Sequence, residues 1–522
     1  MSVSVDFFSA LYDSQSCYAD RLTPEQIKAI HVPTNLDDSL RKWLLKKKDV
    51  ILLGNPGDGK THLIRSLRDT LERVNAEVEL DATAEADYGR IVKRWKAAEK
   101  TGRPFCLAAN QGPLNMLLAK HSSSMPRLEE VQEQLRHPLC YSHVPKQPRN
   151  TIVVDLNLRS ILTRPIIQKA LTNLLNSKAV DECPECFAEE SNDVALNRRA
   201  LLHPQVQDRL LDLLIAASYT GHHISMRDLQ GFLSYVLLGG RTVSEIVRNP
   251  SDSRYRYFNL CFEGEGEIFD AVRDVLEPER ATLPEVDEHL WENTGVSDGW
   301  LFGRPPFTPD HLDDAWELFR SMKRQYFFEH TAGDKLLGLQ LRLNVHSFED
   351  VASDPNKAEQ YLPQLLKSIN QFFCPTQHEN GHCLRLWGAQ QYDGHSPQVL
   401  ASCYTVPKDK FELEVPRLNP WLTEAMEYRP DHLLLRYKGD FPHPIGLRID
   451  RGLWRALTLT EQGLPMCLRS PQYSKLLQTF VTWLCRSEAR NQPRECVFVY
   501  NADLGRLTQV WVDRKRKVYV QS

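Results

Sequence analysis

The 522-residue chain contains no run of about 18 apolar residues. Its start, MSVSVDFFSALYDSQ, has no basic segment followed by a long apolar core. Neither a membrane span nor an export signal is therefore expected, and a cytoplasmic protein is. Cysteine is sparse: twelve residues are scattered without the dense regular spacing of a disulfide-stapled secreted domain, so most are expected as small buried hydrophobes. A net charge of −4 gives no global attraction to nucleic acid. The two short basic runs, Lys46-Lys47-Lys48 and Arg514-Lys515-Arg516-Lys517, read as solvated faces. No internal repeat, long low-complexity linker or linked Ser/His/Asp arrangement stands out. What remains is ordinary globular composition, 42% hydrophobic and 25% charged, in a chain long enough for about three domains.

Against that background one segment is distinctive. Val50-Ile51-Leu52-Leu53-Gly54-Asn55-Pro56-Gly57-Asp58-Gly59-Lys60-Thr61 matches GxxxxGKT between an apolar strand-like run and a helix-like one. Glycines at 54, 57 and 59 let the backbone curl so that successive N–H groups converge on phosphate oxygens. Lys60 is then placed to reach the β- and γ-phosphates, and Thr61 to offer a hydroxyl to Mg2+. The expected nucleotide-binding set is Gly54, Asn55, Pro56, Gly57, Asp58, Gly59, Lys60, Thr61 and His62. No NKxD guanine element occurs in the first 240 residues, which favours ATP over GTP.

The pattern around the motif predicts an α/β core. Strand-like runs at Val50 to Leu53, Val78 to Leu80, Phe105 to Ala109 and Ile152 to Val154 alternate with amphipathic helical stretches, as in a parallel sheet covered by helices on both faces. Beyond Ser160 the periodicity is helical: Ser225 with Asp228 reads as an N-cap, followed by Leu229, Phe232, Leu233, Val236 and Leu237 on one face. Helical character runs to about residue 330, with an acidic, turn-rich interruption from Cys261 to Asp313. From Leu336 onward, short β-branched and aromatic runs such as Leu433 to Tyr437, Gly446 to Ile449, Val497 to Tyr500 and Gln509 to Val512 predict a β-rich α+β region. Asn501 to Gly505 reads as a hairpin loop, and Tyr473, Leu476, Leu477, Phe480, Val481 and Leu484 as one helix face. The expected organisation is an arm over 1–45, an ATPase core over 46–165, a helical lid and middle region over 166–335, and a β-rich domain over 336–522.

A phosphate cradle needs a carboxylate to hold Mg2+ and a polar group to position water before it hydrolyses anything. Asp81 and Asp155 both end strand-like runs, and by strand quality alone Asp155 is the better one. Neither is followed by glutamate. Phe105 to Ala109 ends in Asn110, and here the chain resembles the AAA+ ATPases, whose sensor-1 strand carries a polar residue at its tip. The resemblance implies that Asn110 orients water, that Asp81 takes the Walker B position with Asp155 second, and that Thr61 and Asp81 hold Mg2+. It also places Arg227, in ISMRDLQ, as a sensor-2 arginine over the phosphates. The order GNPGDGKTHLI, VELDAT, RPFCLAANQGPLNML, TIVVDLNLRSIL and ISMRDLQGFLSYVL is similar to bacterial ATPases of DNA-modification and phage-defence systems, nearest the P-loop component of phosphorothioation-dependent restriction. That likeness covers roughly the first 240 residues. It implies protein partners in a multi-subunit complex, with DNA and a second copy of the chain as further partners.

Several roles stay open. Glu85, Asp87 or Asp155 could activate water in place of the missing glutamate, and Arg159, Arg164, Arg198 or Arg199 could serve as an arginine finger between subunits. Cys183-Pro184-Glu185-Cys186 has zinc-knuckle or redox spacing but lacks a second pair, so a structural role is expected. Cys374, His378, His382 and Cys383 could hold zinc only through a tight loop. Tyr255-Arg256-Tyr257-Phe258 reads as core with a basic edge more readily than as a base-stacking platform. Two functions fit: an ATPase that converts nucleotide state into movement, and a slow nucleotide-dependent switch that recruits an effector through its β-rich end.

Overall fold

The computed structural model describes residues 3–13, 21–82, 88–141, 144–187, 192–291, 299–303, 311–337, 345–376, 381–393, 396–439, 445–463, 470–488, 496–512 and 517–521. The chain forms two compact units. The first comprises Met1–Cys140, Val144–Leu341 and Leu418–Arg429; the second comprises Tyr141–His143, Arg342–Arg417 and Pro430–Ser522. Leu418–Arg429 returns to the first unit, whereas the sequence pattern predicts one β-rich domain over 336–522.

Four parallel strands organise the first unit: β1 (Asp49–Leu53), β2 (Glu77–Glu79), β3 (Phe105–Ala109) and β4 (Thr151–Asp155). Their order across the sheet is β2-β3-β1-β4. All five residues of β1 are buried, which is why its sequence runs apolar without alternation. The pleat then sorts them. Val50 and Leu52 face a cluster with Leu36, Leu40 and Leu44 of a helix over Asn35–Leu45 and with Leu63 and Ile64. Ile51 and Leu53 face Ile91, Val92, Trp95, Leu114, Leu117, Leu128 and Val131, from helices over Tyr88–Lys100, Gln111–His121 and Pro126–Arg136. Helices therefore flank the sheet on both faces. Leu418, Leu422, Ala425 and Met426 complete the first cluster.

At the amino end of the sheet, the fully buried Asp49 carboxylate accepts hydrogen bonds from Trp95 Nε1 at 2.6 Å, Phe105 N at 2.8 Å and Arg127 Nη1 at 2.5 Å. Burial nevertheless pushes its carboxyl above the ordinary range, with Arg127 and the two N–H donors pulling the other way. At the other end, β1 runs into Gly54 to Gly59 and then a helix over Lys60–Ser66.

The helical part of the first unit includes helices over Arg164–Leu175, Pro204–Ala217, Met226–Leu238, Glu267–Val275 and Leu312–Glu329. The reciprocal cap forms as the sequence predicts: Ser225 Oγ accepts from Asp228 N, and Asp228 Oδ2 accepts from Ser225 N. Leu229, Phe232, Leu233, Val236 and Leu237 are all buried. The expected interruption after Cys261 is instead partly helical. Ile268, Phe269, Ala271 and Val272 give Glu267–Val275 a buried face that its acidic residues obscure in a linear reading. Tyr257 and Phe258 are core, with the Tyr257 hydroxyl donating to buried Glu329 at 2.9 Å, so they offer no stacking platform.

The second unit is β-rich. Strands over Phe411–Glu414, His432–Tyr437 and Gly446–Asp450 form one antiparallel sheet, with His432–Tyr437 in the middle. Strands over Cys383–Asp393, Ser396–Pro407, Cys496–Asn501, Arg506–Val512 and Val518–Gln521 form a second. Asn501 pairs with Arg506 across the expected hairpin. Helix Pro471–Glu488 buries Leu477, Phe480, Val481 and Leu484 but leaves Leu476 39% exposed, so its buried face is narrower than expected. Among the described residues no helix is long and apolar enough to cross a membrane.

Candidate functional site

In an α/β sheet the strands end where loops can meet a ligand, outside the carboxyl ends. A cavity of about 340 Å3 lies there in the first unit. One wall is the glycine loop and the turn after it, Pro56 through His62. Gly57 and Gly59 have left-handed φ values of +102° and +89°, which let the chain reverse twice within three residues. Gly57 also has no space for a side chain, because a Cβ there would lie 2.9 Å from Ser225 Oγ; a Cβ on Gly59 would meet nothing within 4 Å. Lys60 Nζ donates to the carbonyls of Gly54 at 2.9 Å and Asn55 at 2.8 Å, folding its ammonium against the loop. Burial lowers its pKa, while Asp58 and Asp81 oppose that shift and Arg227 reinforces it. A negative charge at this wall would favour the Lys60 ammonium and so offset the effects of burial and of Arg227.

The other walls come from separate elements. Asp81 follows β2, Asn110 follows β3, and Arg227 sits in the first turn of Met226–Leu238; all three line the cavity. The Thr61 hydroxyl lies 3.5 Å from the carbonyl of Leu80, immediately before Asp81, so the two expected metal-holding residues are neighbours. Ala82 N donates to Ala108 O at 3.0 Å, extending the β2–β3 pairing past Asp81 and seating Ala82 in the core at 1% exposure. The position after Asp81 is thus part of the core packing.

Asp155 is placed differently. It ends β4 but is not among the cavity-lining residues. Its carboxylate accepts from Asn157 N at 3.0 Å and Asn157 Nδ2 at 2.8 Å, capping the turn that follows. Burial raises its pKa, Asn157 counters, and neighbouring Asp58 adds to the rise. Glu85 and Asp87 lie outside the described residues.

An apolar wall and His31 complete the cavity, and no local sequence motif marks either. Leu11, Leu22, Ile30, Val32 and Met226 line the cavity, four of them from the N-terminal arm. Gln230 Nε2 donates to Ile30 O at 2.6 Å and Asn173 Nδ2 to His31 O at 2.9 Å, pinning that arm in place. His31 bridges His62 through Nδ1 at 3.1 Å and Asp37 through Nε2 at 3.2 Å. Burial, with help from His31, pushes His62 down to about 4 against the pull of Asp37. For Asp37, burial acts upward, but His31 and the Thr34 N–H outweigh it and hold the carboxyl low.

Arg159 also lines the cavity, held by Glu427 Oε2 at 3.0 Å and Thr34 Oγ1 at 2.9 Å. The other arginines considered as fingers have partners within the unit: Arg164 pairs with Asp208 and Asp212, Arg198 with Asp181, and Arg199 lies over the Phe302 ring. Cys183 and Cys186 are buried, and burial with Cys183 alongside pushes the Cys186 thiol to about 12. Cys374 is buried, His382 leads into a strand, and His378 lies outside the described residues. No HExxH site is expected from the sequence, yet His378-Glu379-Asn380-Gly381-His382 has that spacing. Its chemistry needs both histidines on one helical face, whereas Gly381 is left-handed and His382 is not helical. Among the described residues no group of three or more His, Cys, Asp or Glu is arranged to hold a metal. No family model, curated protein or solved structure matches this chain.

Proposed function

We propose that the chain is an AAA+-like P-loop ATPase that binds ATP with Mg2+ and converts nucleotide state into domain movement. One observation carries the reading: the Pro56 to His62 wall, Asp81, Asn110 and Arg227 arrive from four separate stretches of chain and line a single cavity at the carboxyl end of a parallel sheet. The residues fit the group, since the oxygen donors Thr61 and Asp81 both line the cavity, with the Thr61 hydroxyl near the Leu80 carbonyl that precedes Asp81, and the Gly59 backbone faces open space. Mg2+ there would neutralise charge on phosphate oxygens. In this reading Lys60 leaves the Gly54 and Asn55 carbonyls to pair with the β- and γ-phosphates, Asn110 orients water, and Arg227 reads the γ-phosphate from above. The apolar arm residues supply a wall suited to a base, and their fixed placement favours one orientation of it.

By the narrower resemblance of its first 240 residues, the output is assembly or activation of a bacterial restriction or phage-defence complex acting on DNA. A second reading, a slow switch that recruits an effector through the β-rich unit, draws support from buried Ala82, which stands where an efficient ATPase carries a catalytic carboxylate. Phosphate release by wild type and Lys60→Ala, with and without duplex DNA, tests both. Lys60-dependent turnover raised by DNA supports the first; tight ATP binding without turnover supports the second. ATP binding undiminished in Lys60→Ala would sink the P-loop assignment, because that substitution removes the phosphate-pairing charge and is expected to cost at least about a hundredfold in affinity.

A further inference from the structure

We propose that His223 and Asp58 form a latch fastening the glycine loop to the segment that carries Arg227, which makes His223 a positioning residue for the nucleotide site. The proposal rests on the P-loop reading for its functional consequence, and on geometry for the latch itself. His223 Nε2 lies 2.9 Å from Asp58 Oδ1, while Asp58 Oδ2 accepts from Asn55 N at 2.6 Å. One buried carboxylate thus braces the loop from inside and holds, from outside, the segment that leads into the helix over Met226–Leu238. Gly54 makes room for it, since a Cβ there would stand 2.7 Å from Asp58 Oδ2. The fit beside the latch is close as well, with Gly57 against Ser225. His223 precedes the Ser225 cap by two residues and Arg227 by four, so release of His223 frees the first turn that presents Arg227.

The imidazole sits among carboxylates from several elements: Asp58 on the loop, Asp155 ending β4, Asp228 in the cap and Glu267 on the helix over Glu267–Val275. The adjacent His222 pairs with Asp274 on that last helix. Asp58 raises the His223 pKa against the effect of burial. The charged pair is therefore complete below the ordinary imidazole value of about 6.5 and is lost as pH rises through the raised one.

The test compares wild type, His223→Ala and His223→Lys in two measurements. The first is hydrogen exchange over residues 221–230 without nucleotide, and the second is dissociation of a fluorescent ATP analogue between pH 6 and 8. His223→Ala should speed exchange at 225–229 and release the analogue about tenfold faster, within the usual range for coupling between sites. Wild-type release should accelerate with pH; His223→Lys, keeping a cation throughout, should stay slow and flat. Exchange at 225–229 unchanged in His223→Ala would overturn the latch. Faster exchange with no Lys60-dependent analogue binding by wild type would leave the latch standing and remove the nucleotide reading instead.

Discussion

Strands in the two units meet their surroundings in opposite ways. Asp49–Leu53 is buried at every position, whereas Gly446–Asp450 alternates exposed and buried along its length. A central strand covered on both faces and paired on both sides leaves only its two ends to meet anything, and in the first unit those ends are built for different work. The amino end closes Asp49 into hydrogen bonds with Trp95, Phe105 and Arg127; the carboxyl end opens Asp81, Asn110 and the glycine loop onto a cavity. The antiparallel strand keeps a face in solvent, where Arg448 meets Asp431 at 2.6 Å with both side chains more than half exposed.

Substitutions at these places should differ accordingly. Arg127→Ala strands a buried carboxylate and should cost about 3–5 kcal/mol in urea unfolding while leaving ATP affinity unchanged. A loss below 1 kcal/mol would mean that the amino end is no more tightly built than the surface. Asp81→Asn should slow turnover about a hundredfold, equivalent to about 2.7 kcal/mol of barrier, and Asp155→Asn about threefold. The reverse order would move the metal-holding role from β2 to β4. Arg448→Ala on the solvent face should change stability by less than about 1 kcal/mol, with no effect on nucleotide, since exposed ion pairs contribute little.

Where a signal is local, the sequence displays it. The four parallel strands, the GxxxxGKT turn, the Ser225 and Asp228 cap and the 501–505 hairpin each depend on neighbours within a few residues, and each stands out in a linear reading. The choice of Asp81 over Asp155 needed a family resemblance, because both end apolar runs and only sheet placement separates them. Asp58 with His223 joins positions 165 apart, and Arg159 with Glu427 positions 268 apart. His31 next to His62 likewise reflects where the arm docks. No spacing rule reaches across such distances, and the residues involved are individually unremarkable as single letters.

The return of Leu418–Arg429 to the first unit bears on how the protein can be divided. Ser160 N donates to Glu427 O at 2.9 Å and Arg429 N to Ser160 Oγ at 2.9 Å, while Leu418, Leu422, Ala425 and Met426 cover one face of the parallel sheet. A fragment stopping at residue 341 would contain every cavity-lining residue yet leave part of that face uncovered, and it should aggregate on expression. Adding residues 418–429 back as a separate peptide should restore its solubility, as a missing stave restores a barrel.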